Sequence, residues 1–217
     1  TFEVGDTPIR HQFRVLSKVG VTQFDDTLEL WPKSGSLEKA REALATLGPR
    51  EGTKMIGFVM GSSPNWPSKR WPGENFMALA KRLLEKYDAR IVLIGSPDEA
   101  ELSRPFYSIE AGKVLDLVGK TSLEDLPAFF KSLHLIVTGD TAPLHMAAAM
   151  NVPVVALFGP TDAKRHLPPG KKIDVLSHHL PCQPCYDGVC KATEKLACLT
   201  HISVEEVFEH CQRALVQ

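Results

Sequence analysis

A carboxylate and a hydroxyl, those of Asp140 and Thr141, interrupt an otherwise apolar stretch of the chain. The apolar residues 135–137 lead into this pair and the apolar residues 154–158 follow it. This pattern predicts a buried strand, a turn, a short helix and a second buried strand. Because α/β proteins bind ligands at the tips of their strands, the turn is the first candidate for a binding site.

The same turn predicts a helix start that suits a diphosphate. Thr141 is a natural N-cap, and Pro143 fits the first helical turn, where its missing N–H costs nothing. The free N–H groups of such a turn attract anions. His145 follows in this turn, although a lone histidine is more often a packed residue than a ligand. Beside a phosphate site, Asp140 either contacts sugar hydroxyls, faces positive charge developing at a sugar carbon, or merely caps its own helix.

Two other predicted strand ends carry polar groups. The loop GSSPNWPSKRWP offers an anion the hydroxyls of Ser62 and Ser63 and the charge of Lys69, or it is only a solvated connection. The stretch SPDEAEL begins a helix, in which Glu99 either complements the helix dipole or accepts hydrogen bonds from ribose hydroxyls. The chain has neither a Walker motif nor a GxGxxG fingerprint, so a P-loop NTPase or a nicotinamide enzyme is not supported.

Strand and helix patterns alternate from residue 54 onward. Near-continuous apolar strands between helices predict a parallel sheet that is covered on both faces. The predicted fold class is therefore α/β, with a Rossmann-like, doubly wound parallel sheet. The helical patterns cover residues 76–87, residues 123–133 after a capping box at Ser122, and a final helix that starts at Ser203. The six predicted strands are MIGFVM, RIVLIG, KVLDLVG, HLIVTG, VVALFG and KIDVLS.

The first 50 residues differ from the rest of the chain. Their patterns predict a helix over 10–21, a strand over 27–34 and a helix over 37–48. They hold too few apolar residues for a core of their own, so we predict an arm and linker over 1–50 and one domain over 51–217. The chain starts without Met and without a signal-like apolar segment, and we expect it to begin within a longer protein.

Charge and cysteine content restrict the possible partners. The formal net charge is −1 and no dense basic run is present, so we expect no nucleic-acid partner. No apolar stretch approaches the roughly 20 residues of a membrane span. Four of the five cysteines show the spacing C-x2-C-x4-C-x7-C, which predicts either a structural zinc site or, as we prefer, a reduced cysteine loop. These four are Cys182, Cys185, Cys190 and Cys198.

Several segments together resemble glycosyltransferase family 9, the heptosyltransferases of lipopolysaccharide core assembly. They are PSKRWPGENFMALA, LVGKTSLEDL, TGDTAPLHMAAAMNVPVVALFGPTD and CQPCYDGVC…CLTHISVEEV, and the similarity runs from about residue 54 to the end. The resemblance implies a GT-B fold, of which this chain would be the C-terminal, donor-binding half. It also implies an ADP-heptose donor, inversion at the sugar carbon, no required metal, and work at the cytoplasmic face of the inner membrane.

The resemblance assigns roles to individual residues. Lys69 matches a phosphate-contacting lysine, Ser62 and Ser63 lie in the phosphate loop, and Glu99 falls at the position of a ribose-binding acid. Thr121 lies at the nucleobase wall, and Asp140 matches the acid near the transferred sugar. Thr141 and Ala142 match positions at the diphosphate, and His145 follows them in the same donor-binding motif.

The sequence departs from the family pattern at two glycine positions. Ala142 stands where the family usually has Gly, so its methyl group lies close to the expected phosphate position. Asn151 replaces a helix-ending Gly, and Asn tolerates the left-handed conformation that this position needs.

The implied reaction needs more than this chain provides. The family's N-terminal domain carries the catalytic base and binds the acceptor, the lipopolysaccharide core, and only its tail is expected here. We therefore expect a donor-binding part that is inactive alone. Two alternatives stay open, a nucleotide-sugar epimerase of the same architecture and a non-catalytic nucleotide-sugar binding module.

Overall fold

The computed structural model of the protein describes residues 7–216. Its centre is a six-stranded sheet in which every neighbouring pair of strands is parallel. The strands are β1 (Lys54–Val59), β2 (Ala89–Ile94), β3 (Val114–Asp116), β4 (Leu135–Gly139), β5 (Val154–Leu157) and β6 (Ile173–Leu176). Each strand overlaps one of the six predicted runs, with β1 and β2 starting one residue earlier than predicted, and the predicted Rossmann-like α/β class is confirmed.

The strand order is β3-β2-β1-β4-β5-β6. The chain therefore builds outward from β1 in one direction, returns, and builds outward in the other direction. Ile56 of β1 pairs with Ile91 of β2 on one side and with Leu135 of β4 on the other. The loops after β1 and β4 leave the sheet in opposite directions, which opens a crevice at their carboxyl ends.

The described residues form nine helices, several of which cover both faces of this sheet. They are α1 (Pro8–Ser17), α2 (Ser36–Ala45), α3 (Gly73–Lys86), α4 (Ala100–Ser103), α5 (Leu126–Lys131), α6 (Ala142–Ala149), α7 (Ala163–His166), α8 (Ala197–Thr200) and α9 (Val204–Val216). Short 3₁₀ turns cover Pro67–Lys69, Pro97–Glu99 and Arg104–Ser108. The expected capping box of the last helix forms between Ser203 and Glu206.

Side chains of the strands alternate between two apolar cores. In β1, Ile56 and Phe58 pack with α3 and α9, whereas Met55 and Val59 pack with α2, α5 and α6. This alternation follows from the two-residue period of a strand. Both faces of the strand are consequently buried, as its near-continuous apolar sequence predicted.

One predicted strand is wrong. Residues 27–34 form neither strand nor helix, and the side chain of Trp31 is 74% exposed. The segment alternates apolar and polar residues but pairs with no strand of the described sheet, and Pro32 cannot donate to a ladder. An alternating pattern without a partner strand leaves the segment irregular.

Helix α2 is packed firmly although it lies in the predicted arm. Ala40, Leu44 and the following Leu47 are buried in the core on the α5 side of the sheet. Ser36 and Lys39 both donate to the carboxylate of Asp125, at 2.9 Å and 2.5 Å. The division of the chain into an arm over 1–50 and a domain over 51–217 stays a prediction. Residues 1–6 of the arm and residue 217 of the domain lie outside the described residues.

Across residues 7–216, the helices are all too short or too polar to cross a lipid bilayer.

Candidate functional site

A cavity of about 480 Å³ lies at the carboxyl ends of β1, β2 and β4. This is the crevice between the two halves of the sheet, the position at which doubly wound folds bind ligands. Eight of the nine predicted donor-site residues line it. They are Ser62, Ser63, Lys69, Glu99, Thr121, Asp140, Thr141 and Ala142.

His145 is the ninth predicted residue and lies outside this cavity. It lines a neighbouring groove together with Trp31, Leu123 and Ala142. The surrounding protein removes water from part of the ring and thereby lowers the pKa of His145, whereas the Asp140 charge opposes that shift. The side chain nevertheless keeps substantial contact with solvent, so His145 is placed beside the site rather than within it.

Lys69 and Asp140 form a buried ion pair at the cavity wall. The ammonium of Lys69 donates to Oδ2 of Asp140 at 2.7 Å and to the backbone oxygen of Asp140 at 3.2 Å. It also lies 4.7 Å from the centre of the Trp66 ring. Because an ammonium group has three donors, one N–H of Lys69 stays available for a ligand in the cavity. The carboxylate of Asp140 does not cap α6, so the capping interpretation fails.

Thr161 is a site residue that the sequence reasoning missed. It follows β5, is 4% exposed, and donates from Oγ1 to Oδ2 of Asp140 at 2.8 Å. Lys69 and Thr161 therefore bind the same carboxylate oxygen. The one sequence signal was a hydroxyl residue shortly after an apolar strand, which is common in loops.

Glu99 enters the cavity between two glycines. A Cβ atom at Gly61 would lie 1.7 Å from Oε1 of Glu99, and one at Gly95 would lie 2.6 Å from Oε2. The carboxylate also accepts a hydrogen bond from the backbone N–H of Ser96 at 2.9 Å, which forms a capping box at this helix start. The bare backbone of the two glycines thus provides the space that a buried carboxylate needs.

Ser62 is held by the loop in which it lies. Its hydroxyl donates to the backbone oxygen of Trp66 at 2.7 Å and accepts from Nε of Arg70 at 3.1 Å. Arg70 also donates to the backbone oxygen of Ser62 at 2.9 Å. Arg70 therefore closes the loop after β1 and brings a second positive charge near the cavity, with Glu99 4.0 Å away.

The start of α6 lies at the cavity, which Thr141, Ala142 and Pro143 line. Thr141 holds the predicted N-cap position with an extended backbone, but its side chain makes no capping hydrogen bond. Ala142 and Pro143 form the first turn, and the N–H of Ala142 precedes the intrahelical ladder. The predicted left-handed conformation of Asn151 at the other end of the helix is confirmed, with φ at 54°.

Apolar side chains form the remaining wall of the cavity. Pro97, Leu123 and Leu126 line it near the half-buried Thr121. An apolar wall with a hydroxyl beside it suits the heterocyclic base of a nucleotide. The cavity therefore has a charged end at Lys69 and Asp140, an acid at Glu99, and an apolar end.

The clustered cysteines lie in a separate small cavity of about 120 Å³ that all four of them line. All five cysteines are free thiols, and Cys182 and Cys185 are exposed. Burial raises the pKa of Cys198 to about 11, and the neighbouring thiols add to this shift. Within the described residues, no three His, Cys, Asp or Glu side chains are arranged to hold a metal ion.

The amino-acid sequence is similar to those of known proteins. The family model of glycosyltransferase family 9 (heptosyltransferase) matches residues 8–196. The lipooligosaccharide heptosyltransferase 2 of Campylobacter jejuni is 29% identical over 170 residues, which cover 76% of this chain and 52% of that protein. The chain therefore spans about half the length of this curated relative.

Solved structures share the fold. The structure of a glycosyl transferase family 9 protein from Veillonella parvula matches with a TM-score of 0.83 and 26% identity, over 100% of this chain and 62% of that one. The E. coli structure of ADP-heptose LPS heptosyltransferase II matches with a TM-score of 0.70 and 25% identity, over 87% of this chain and 54% of that one.

Proposed function

The chain belongs to glycosyltransferase family 9, and from this premise we propose that it is the donor-binding part of an inverting heptosyltransferase. The donor is ADP-heptose and the acceptor is the inner core of lipopolysaccharide. The observation that carries the proposal is the cavity itself, which eight of the nine predicted residues line and which combines a charged end, an acid and an apolar wall. The names of the Campylobacter and E. coli relatives support the heptosyl group, and the E. coli name supports the ADP-heptose donor.

Different residues of the cavity bind different parts of the ADP-sugar. The free N–H of Lys69 and the first peptide groups of α6 bind the diphosphate, with Ser62 and Ser63 in the loop beside it. Glu99 accepts hydrogen bonds from the ribose hydroxyls. Thr121 and the apolar wall contact the adenine.

Asp140 faces the transferred sugar in this arrangement. Lys69 and Thr161 both donate to Oδ2, and no described residue donates to Oδ1. Oδ1 can therefore accept from a sugar hydroxyl and favour positive charge at the anomeric carbon. His145 lines the neighbouring groove with Ala142, and we place it beside the donor rather than in contact with the diphosphate.

The reaction exchanges one bond for another at the anomeric carbon. The bond from this carbon to the diphosphate breaks while the acceptor oxygen attacks from the opposite face. Lys69 and the helix start stabilise the negative charge that develops on ADP. The proton of the acceptor hydroxyl goes to a base on the opposite face of the sugar, which we place on the N-terminal domain rather than on this chain.

The proposed setting follows from the acceptor. We place the enzyme in the cytoplasm, at the inner face of the inner membrane, with peripheral association only. No nucleic acid is expected as a partner, and the cysteine cluster acts as structural thiols rather than as a required zinc site.

Substitution of Lys69 tests the donor assignment. Lys69→Ala should weaken ADP binding by about 1.5–3 kcal/mol, the range for hydrogen bonds to charged groups, as measured by titration calorimetry. Lys81→Ala, which removes an equal charge from the exposed side of α3, should leave the affinity unchanged. Unchanged ADP affinity in Lys69→Ala would contradict the phosphate assignment.

A further inference from the structure

The carboxylate of Asp140 is held by one of its two oxygens. Lys69 and Thr161 donate to Oδ2 at 2.7 Å and 2.8 Å, and the Thr161 side chain is almost fully buried. Two donors on one oxygen prevent the carboxylate from rotating. The orientation of the whole carboxylate, Oδ1 included, is thereby restrained, and Asp140 is a lining residue of the cavity.

A single segment of the chain holds both donors in place. On the Thr161 side, Gln183 donates from its side chain to the oxygen of Gly159 at 2.6 Å, and the N–H of Tyr186 donates to Pro160 at 2.9 Å. The segment over residues 183–188 lies within the cysteine cluster. Its contacts therefore fix the two residues that precede Thr161.

On the Lys69 side, the same segment binds Ser68. The hydroxyl of Ser68 donates to the oxygen of Asp187 at 2.6 Å, and its N–H donates to the oxygen of Gly188 at 3.1 Å. Gly188 lies so close to the loop that a Cβ there would meet the oxygen of Asn65 at 2.1 Å. The segment thus bonds the chain neighbours of both donors, Ser68 beside Lys69 and Pro160 beside Thr161.

We propose that Thr161 and Ser68 are positioning residues of the reaction site, joined by the segment 183–188, which holds Asp140 and Lys69 in the geometry that the transfer needs. This inference rests on the proposed function. Thr161 acts through Asp140 and therefore serves the sugar, whereas Ser68 acts through Lys69 and therefore serves the diphosphate. The segment between the cysteines thereby acquires a role that does not depend on bound metal.

The Thr161 part is tested in the full-length protein with Thr161→Val, which keeps the shape and removes the hydroxyl. For Asp140→Asn, which loses the charge itself, we expect kcat to fall by about 10²-fold. For Thr161→Val we expect a smaller fall in kcat, by about 10-fold or more, with ADP affinity and melting temperature near wild type. Thr161→Ser should restore most of the rate. Because Thr161 acts through Asp140, Thr161→Val should add little further loss in the Asp140→Asn background.

The outcomes separate three ideas. A Thr161→Val enzyme with wild-type kcat, or one whose loss multiplies fully with that of Asp140→Asn, would overturn the positioning role. Loss of melting temperature together with ADP affinity would show a merely structural residue. A wild-type protein that fails to bind ADP would instead remove the proposed function itself.

The Ser68 part has a matched control on the same chain. Ser68→Ala should weaken ADP binding by roughly 2- to 10-fold, which corresponds to one neutral hydrogen bond. Ser108 makes the same type of bond, from its hydroxyl to the oxygen of Pro105 at 2.8 Å, but lies away from the cavity. Ser108→Ala should leave ADP affinity unchanged, and equal affinities in the two variants would refute the role of Ser68.

Discussion

Replacing Gly61 by alanine tests the proposed ribose site without substituting any charged residue. The new Cβ would lie 1.7 Å from Oε1 and 1.8 Å from Cδ of Glu99, whereas ordinary contact begins near 3.4 Å. Oε1 must therefore move by about 1.7 Å, and Oε2, which accepts from Ser96 and would lie 2.3 Å from the same Cβ, must move with it. A shift of this size breaks the 2.9 Å hydrogen bond from Ser96 and removes the carboxylate from the position proposed for the ribose hydroxyls.

The expected effect falls on binding rather than on stability. Loss of a hydrogen bond to a charged group corresponds to about 1.5–3 kcal/mol, or roughly 10- to 150-fold in the dissociation constant for ADP. The melting temperature should fall only slightly, because the displaced carboxylate of Glu99 exchanges its hydrogen bond from Ser96 for hydrogen bonds to water in the open cavity. Gly61 also lacks the positive φ that would strain an alanine at this position.

Titration calorimetry with ADP and a thermal unfolding curve measure the two effects. Gly73→Ala is the control, because a Cβ at Gly73 meets no atom within 4 Å. Glu99→Gln should reproduce the loss of affinity without the displacement. If Gly61→Ala bound ADP as tightly as wild type, Glu99 would not be a ribose ligand and the reasoning would be wrong.

Two further predictions concern regions outside the cavity. Hydrogen bonds from a lysine and two serines hold the pKa of Asp125 below its usual range, so Asp125→Asn should lower the free energy of unfolding by about 1–2 kcal/mol at pH 7. Since the folded pKa is depressed, this difference should be complete above about pH 5 and shrink as the pH falls below about 4; a difference that did not depend on pH in denaturant titrations would contradict it. Thiol titration of the native protein should label the exposed Cys182 and Cys185 first, and Cys198 and Cys211 only on unfolding, because burial raises the pKa of both. One equivalent of metal in protein purified without chelator, lost in Cys185→Ser, would overturn the assignment as free thiols.

The sequence was most informative where a pattern is local. The inner strands β1, β2, β4 and β5 are near-continuous apolar runs, and burial on both faces favours such runs. The edge strands β3 and β6 are less buried and contain Asp116 and Asp174. The segment 27–34 shows the opposite case, since its alternation does not reveal whether a partner strand exists. Leu123 was expected to begin the helix over residues 123–133, yet it is 68% exposed and lines the cavity, because α5 begins only at Leu126.

Pairings between distant residues could not be predicted. Thr161 meets Asp140 only because β5 lies beside β4 in the sheet, which places the loops after both strands next to each other. The hydrogen bonds from Arg70 to Ser62 depend in the same way on the path of an irregular loop. The candidate residues were recognised by type and position, but their partners are set by tertiary structure.

The strand order has a consequence for how the molecule folds. In β1 and β2, Ile56 and Ile91 are paired over 35 positions of sequence, whereas the pairing of Ile56 with Leu135 spans 79 positions. Pairings between residues distant in sequence form slowly, because a long loop must close before any contact stabilises it. The two halves of the sheet should therefore form first and dock last, and the cavity is created in that final step. A nucleotide that binds the docked halves would then slow unfolding while leaving the folding rate almost unchanged.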